Sequence, residues 1–258
     1  MAKKSLGQNF LFDPAILGRI IEAAGIGPDD TVVEIGPGPG RLTLMLSKVS
    51  QRVLAIELDS DLYIKLQDEL TGRENVELVL GDALKYRYDE LGSFKVVANI
   101  PYYITTPIIF KLIEARSNLV SMTLTIQKEV AQRIVANPGT KDYGILSLAL
   151  QYHADAEIKF IIPAGAFRPA PKVDSAIIHM VIRSTPKVIV ANEALFFKLI
   201  RAGFSQRRKT LSNALKLFMP NIKDILIDSG IDPIRRAETL SMDEFAKLAN
   251  AIHRIQTT

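Results

Sequence analysis

From residue 31 the chain alternates short apolar runs with longer amphipathic ones. Residues 31–35, 52–58, 76–80 and 95–99 have the length and near-continuous apolar character of buried strands. Residues 41–49, 61–70 and 107–115 instead repeat their apolar positions at helical spacing. A series of this kind predicts a parallel sheet covered by helices on both faces. Residues 122–126 read as a further strand and 128–136 as a helix. The runs 157–162 and 175–182, separated by a proline-rich loop, read as two strands able to pair as an antiparallel edge hairpin. From Asn192 onward only helical periodicity appears, and Ser184-Thr185-Pro186 before it reads as a linker. The expectation is an α/β sheet domain over residues 1–184 and a smaller all-helical domain over 185–258, with no internal repeat.

Composition narrows the class. With 258 residues, 48% hydrophobic and 23% charged, the chain can bury a sizeable core and is neither fibrous nor disordered. No stretch approaches the ~20 apolar residues of a spanning helix, so no membrane partner is expected. The opening M-A-K-K-S-L-G-Q-N-F has lysines but no apolar core, so a secretory signal is not expected and a cytoplasmic location is. The absence of cysteine removes disulfides, thiolate nucleophiles and Cys-based zinc sites. The three histidines, His153, His179 and His253, share no spacing that would hold a metal, and none is expected. Charge is uneven. Residues 1–183 carry 20 Lys and Arg against 21 Asp and Glu, whereas residues 184–258 carry 12 against 7. A basic tail on a nearly neutral body suggests a polyanion held by one lobe while the other performs chemistry.

The first strand ends E34-I-G-P-G-P-G40. Glycines at the carboxyl end of a strand let the backbone turn sharply and approach a ligand. The pattern is not the G-x-G-x-x-G of dinucleotide folds, and Glu34 ahead of the turn would disfavour a pyrophosphate and suit a cation. The sulfonium and amino group of S-adenosylmethionine meet that demand. The second strand closes at Glu57, placed to accept from both ribose hydroxyls, a role NAD would also fill. The third closes at G81-D82, where the carboxylate can accept from an adenine amino group, which favours S-adenosylmethionine over NAD.

The fourth strand ends in N99-I-P-Y-Y-I-T-T-P107. An exocyclic adenine amine is a poor nucleophile, because its lone pair is delocalised into the ring. If Asn99 Oδ1 and the carbonyl of Ile100 or Pro101 accept its two N–H bonds, the nitrogen moves toward tetrahedral geometry and can attack a methyl group. Pro101 fixes the backbone that aims the carbonyl, and Tyr102 offers a stacking face worth ~1–3 kcal/mol.

These stretches, with L6-G-Q-N-F-L11, Q127-K-E-V130, F167-R-P-A-P-K-V-D-S175 and F204-S-Q-R-R-K-T-L211, closely resemble the ribosomal RNA adenine N6,N6-dimethyltransferases of the KsgA type over nearly the whole chain. The resemblance implies a Rossmann-like sheet binding S-adenosylmethionine. It implies that Asn9 and Leu11 close over the cofactor, that Gly36 and Gly38 approach its methionine end, and that Glu57 holds the ribose and Asp82 the adenine. Asn99 would span cofactor and target sites, and Phe167 would face Tyr102 to sandwich a flipped-out adenine. The substrate it implies is a pair of adjacent adenosines in the 3′-terminal hairpin loop of small-subunit rRNA, each methylated twice. The partner would be the immature small subunit, met by a monomer. Tyr103 stands where the family often has Asn. The macrolide-resistance type, acting on large-subunit rRNA, and an assembly factor that mainly binds immature small subunits are the alternatives.

In the tail, Ser205 could cap a helix with Leu211, Ala214, Leu215 and Phe218 on one face. Arg207, Arg208, Lys209 and Lys216 would then form a cationic strip suited to RNA phosphates.

Overall fold

The computed structural model describes residues 8–206 and 208–257. Among them is a seven-stranded sheet built from β2 (Thr31–Ile35), β3 (Arg52–Glu57), β4 (Val76–Leu80), β5 (Phe94–Asn99), β6 (Leu119–Gln127), β7 (Ala154–Ile162) and β9 (Ser175–Ile182). Its order is β4-β3-β2-β5-β6-β9-β7. The strands from β4 to β6 are parallel; β9 runs antiparallel to β6, with Thr123 opposite His179 and Gln127 opposite Ser175. Two residues each of β1 (Phe10–Leu11) and β8 (Phe167–Arg168) form a separate antiparallel pair. The fold is thus the expected α/β sheet with an antiparallel edge. The order reverses between β2 and β5, and a ligand crevice lies beyond the carboxyl ends of strands at such a switch.

The sheet forms because its central strands are apolar on both faces: Val32, Val33, Val53, Leu54, Ala55 and Val97 are wholly buried. Helices α2 (Arg41–Leu46), α3 (Ser60–Glu69) and α4 (Thr105–Glu114) follow β2, β3 and β5. Helix α1 (Pro14–Ala24) has full punctuation. Asp13 caps it by accepting from the Ala15 N–H, Pro14 occupies its first turn, and Gly25 ends it in the left-handed region. Its buried Leu17, Ile20 and Ala24 join Val32, Leu46, Val53, Val97 and Ile177 in one apolar cluster.

The chain resolves into two compact units, one of residues 1–131 and 155–182, the other of 132–154 and 183–258. These differ from the expected 1–184 and 185–258 in the assignment of residues 132–154. That segment takes in the end of α5 (Lys128–Ile134) and all of α6 (Ile145–Gln151), and its Tyr143, Leu148 and Tyr152 are buried with Phe196, Leu199 and Phe245. The Tyr143 hydroxyl donates to the Leu240 carbonyl at 3.0 Å. The second unit continues with α7 (Glu193–Phe204), α8 (Leu211–Leu215), α9 (Ile222–Asp228) and α10 (Met242–Thr257). Its division sharpens the charge asymmetry: 15 Lys and Arg against 8 Asp and Glu in the second unit, 17 against 20 in the first. No helix among the described residues is long and apolar enough to cross a membrane.

Candidate active site

The tips of β2, β3, β4 and β5 open on one cavity in the first unit, lined among others by Asn9, Gly36, Gly38, Glu57, Asp82, Asn99, Pro101 and Tyr102. Its wall is mixed, apolar side chains such as Ile35, Ile56 and Leu62 alternating with a few convergent polar groups, the make-up of a small-molecule site. Gly36 and Gly38 turn the chain at φ 69° and 58°, where side chains are strained. A Cβ on Gly38 would lie 2.7 Å from the Phe10 ring. The glycine therefore lets the N-terminal segment seat against the turn.

Glu57 is buried and organises the turn rather than merely facing it. Its Oε2 accepts from the Gly38 N–H at 3.1 Å and its Oε1 from the Asp59 N–H at 2.8 Å. Burial pushes its pKa up, the backbone donors of Asp59, Gly38 and Leu58 pull it down, and the neighbouring Asp59 carboxylate pushes it up, leaving it above the usual carboxylate value. Each carboxylate oxygen retains a second lone pair, so both can still accept from vicinal hydroxyls. Asp59 caps α3 and accepts from Gln8 Nε2 at 3.2 Å. At the next tip Asp82 Oδ1 accepts from the Leu84 N–H at 2.9 Å, which fixes the carboxyl at the cavity wall.

Asn99 Nδ2 donates to the Asn9 carbonyl at 2.8 Å. With the amide oriented by that bond, Oδ1 is the end offered as acceptor. Pro101 opens a 3-10 turn over Tyr102–Ile104 that delivers the chain into α4. The half-buried Tyr102 lines the cavity with its hydroxyl within 2.7 Å of Ser175 Oγ, and Tyr103, at 57% exposure, lies at the rim.

Two expected residues do not line the main cavity. Phe167 is 1% exposed and packed in the apolar cluster beside Leu17 and Ile20, so its ring presents no stacking face to the cavity. Leu11, its β1 partner in register, is buried in the same cluster and lines a smaller cavity against the glycine turn rather than the main one. The cause is shared: β1 and β8 pair, and that pairing turns both side chains inward. Residues the sequence reading missed are Gln8 and Phe10, which fasten the N-terminal segment to Asp59 and over Gly38; their signal lay in the L-G-Q-N-F-L motif.

In the second unit, Ser205 ends α7 instead of starting a helix, its Oγ donating to the Ala202 carbonyl at 2.6 Å. The next helix begins only at Leu211, so Arg208 and Lys209 lie exposed in the connection and Lys216 at the far end of α8. They do not line one helical face. Arg207 lies outside the described residues. Among the described residues no group of three His, Asp or Glu could hold a metal ion.

The family model for ribosomal RNA adenine dimethylase matches residues 1–254. Ribosomal RNA small subunit methyltransferase A of Geobacillus thermodenitrificans is 47% identical, covering 97% of this chain and 90% of its own. That of Enterococcus faecalis is 48% identical over 98% and 90%. Among solved structures, a dimethyladenosine transferase from Plasmodium falciparum superposes with a TM-score of 0.79 at 30% identity, covering 93% of this chain and 95% of that one. The 23S rRNA methyltransferase ErmE gives 0.77 at 28% identity, over 95% and 100%. The chain belongs to the ribosomal RNA adenine dimethylase family.

Proposed function

We propose that the protein uses S-adenosylmethionine to dimethylate N6 of two adjacent adenosines in the 3′-terminal hairpin loop of small-subunit rRNA. The observation that carries this reading is the convergence of Glu57, Asp82 and Asn99, three strand tips of one sheet, on a cavity floored by Gly36 and Gly38. The donor set fits the cofactor: one carboxylate with two acceptor oxygens for vicinal hydroxyls, a second carboxylate for an adenine amine, and open space over Gly36, where a Cβ would meet nothing within 4 Å, for the close approach of a ligand. Bound there, S-adenosylmethionine supplies an electrophilic methyl group.

The chain's own residues do the rest. Asn99 Oδ1 accepts from the target amine, drawing its lone pair out of conjugation. Pro101 holds the backbone whose carbonyl accepts the second N–H. Tyr102, its hydroxyl held beside Ser175, offers its face to the flipped-out base. No general base is needed at the outset, since the amine becomes acidic only on methylation and then loses its proton to water. The second unit, with 15 cations against 8 anions, supplies phosphate contacts, Arg207, Arg208, Lys209 and Lys216 among them. The substrate particle is the immature small subunit, met by a monomer in the cytoplasm. Relatives named for the small subunit match at 47–48% identity, against 28% for the large-subunit enzyme of known structure, which favours the small-subunit target.

The test is incubation of undermethylated small subunits with the protein and labelled S-adenosylmethionine, followed by mass spectrometry of the rRNA. Label in N6,N6-dimethyladenosine of the 3′ hairpin is the expected result; label confined to large-subunit rRNA, or none, would refute the reading.

A further inference from the structure

The sequence pairs Glu34 with a cation only by its place ahead of the glycine turn; its surroundings in the fold are unusual for an acid and add to that reading. Glu34 is the penultimate residue of β2, two positions before the glycine turn, is 2% exposed, and its Oε2 has no hydrogen-bond partner among the described residues. It lines a smaller cavity against the turn, and Gly36, Phe10 and Asn99 border both this space and the main one. The charged and titratable groups around it do not neutralise it. From β3 comes Glu57, another carboxylate. From α2 come the Thr43 hydroxyl, an uncharged group that favours the carboxylate, and Arg41, which is exposed. α1 contributes Leu17 and Ile20, β5 the uncharged Asn99, and the turn only Gly36, Pro37 and Pro39. Burial first, and then Glu57, push the Glu34 carboxyl up to about 8, with Thr43 acting the other way. At neutral pH the side chain is therefore protonated, a neutral acid with one oxygen unsatisfied.

A buried acid beside the seat of a cation is a proton-linked device. We propose that Glu34 is the counter-charge to the ammonium group at the methionine end of the cofactor, holding a proton in the ligand-free chain and releasing it to solvent when that ammonium is seated at the glycine turn. The inference rests on the cofactor reading of the main cavity. The balance is simple: the carboxylic acid becomes a carboxylate, one proton passes to the buffer, and the arriving cation stabilises the charge that burial had disfavoured. Affinity should then rise with pH, up to tenfold per unit, until the free chain's Glu34 has itself ionised.

Calorimetric titration with S-adenosylhomocysteine, which keeps the ammonium and lacks the sulfonium charge, tests this in two pH 7 buffers of different ionisation enthalpy. Release of close to one proton per ligand is expected from the parent protein. Glu34→Gln, a neutral mimic of the protonated acid, should bind with almost no release and lose the rise in affinity between pH 6 and 7. 5′-Methylthioadenosine, which lacks the amino-acid end, should bind the parent without release, a control that needs no variant. Binding of S-adenosylhomocysteine without proton exchange, or undiminished release by Glu34→Gln or with 5′-methylthioadenosine, would overturn the inference alone. Absence of any S-adenosylhomocysteine binding by the parent would overturn the cofactor reading and this inference with it.

Discussion

Asn99 and Asn9, ninety positions apart in the chain, are joined by a 2.8 Å hydrogen bond from the side-chain amide of the first to the backbone carbonyl of the second. One end of the Asn99 amide therefore fastens the N-terminal segment, and in the proposed function the other serves the target base. Because the interaction with the amine strengthens as its nitrogen becomes tetrahedral, Asn99→Ala should lower kcat by ~10²-fold or more, with less effect on KM. Single-turnover methylation at saturating cofactor and subunit is the measurement. A rate near the parental one would reduce N-I-P-Y to a turn. Tyr102→Ala should differ, impairing capture of the flipped base as well as turnover.

Glu57 holds the Gly38 and Asp59 amides and, in the proposed function, both ribose hydroxyls. Glu57→Ala should weaken S-adenosylmethionine binding by ~2–3 kcal/mol, the range for hydrogen bonds to a charged group. Calorimetry reporting unchanged affinity would remove Glu57 from the cofactor site.

Glu34 also governs how folding responds to pH. A carboxyl whose native pKa, about 8, stands above its unfolded value of 4.5 binds its proton more tightly in the folded chain. Its contribution is therefore present below pH 4.5 and is lost as pH rises toward 8, by at most about 1.4 kcal/mol per unit. Glu34→Gln should remove that loss, so the gap in melting temperature between variant and parent should widen from pH 5 to pH 8. Parallel pH profiles for the two proteins would contradict a buried, protonated Glu34.

The basic connection before α8 should act on RNA alone. Replacing Arg207, Arg208 and Lys209 by Ala should lower affinity for small subunits and flatten its dependence on salt, by up to ~0.9 log unit for each duplex phosphate that is no longer neutralised. Cofactor affinity should stay the same. A triple variant with the parental salt slope would leave these residues as ordinary surface.

The strands were legible because β2 and β4 are bounded by turn residues on both sides, and their tips could be assigned because acids and an amide there contradict an otherwise apolar run. α1 went unread although its punctuation is local: Asp13 and Pro14 open it, Gly25 closes it, and Leu17, Ile20 and Ala24 mark one face. The burial of Phe167 and Leu11 was not legible, for a different reason. Their burial depends on the pairing of β1 with β8, two residues each and far apart in sequence, which no local pattern announces. Ser205 is a suitable cap for either end of a helix, and α7, running on to Phe204, took it for its own last turn. Likewise the tyrosines of residues 132–154 look like loop aromatics until the α7 and α10 side chains that bury them are in place.

That last segment has a consequence for how the protein is made. The polypeptide passes between the two units three times, after residues 131, 154 and 182. Residues 132–154 thus leave the ribosome before β7 and β9, and well before Phe196, Leu199 and Phe245, which shield Tyr143, Leu148 and Tyr152. The first unit has all its strands once residue 182 has emerged, but the second must wait for α10. A chain ended near residue 184 would not be a free-standing catalytic fragment. It would expose a sticky apolar insert, and chaperone dependence or proteolysis would be its fate rather than activity.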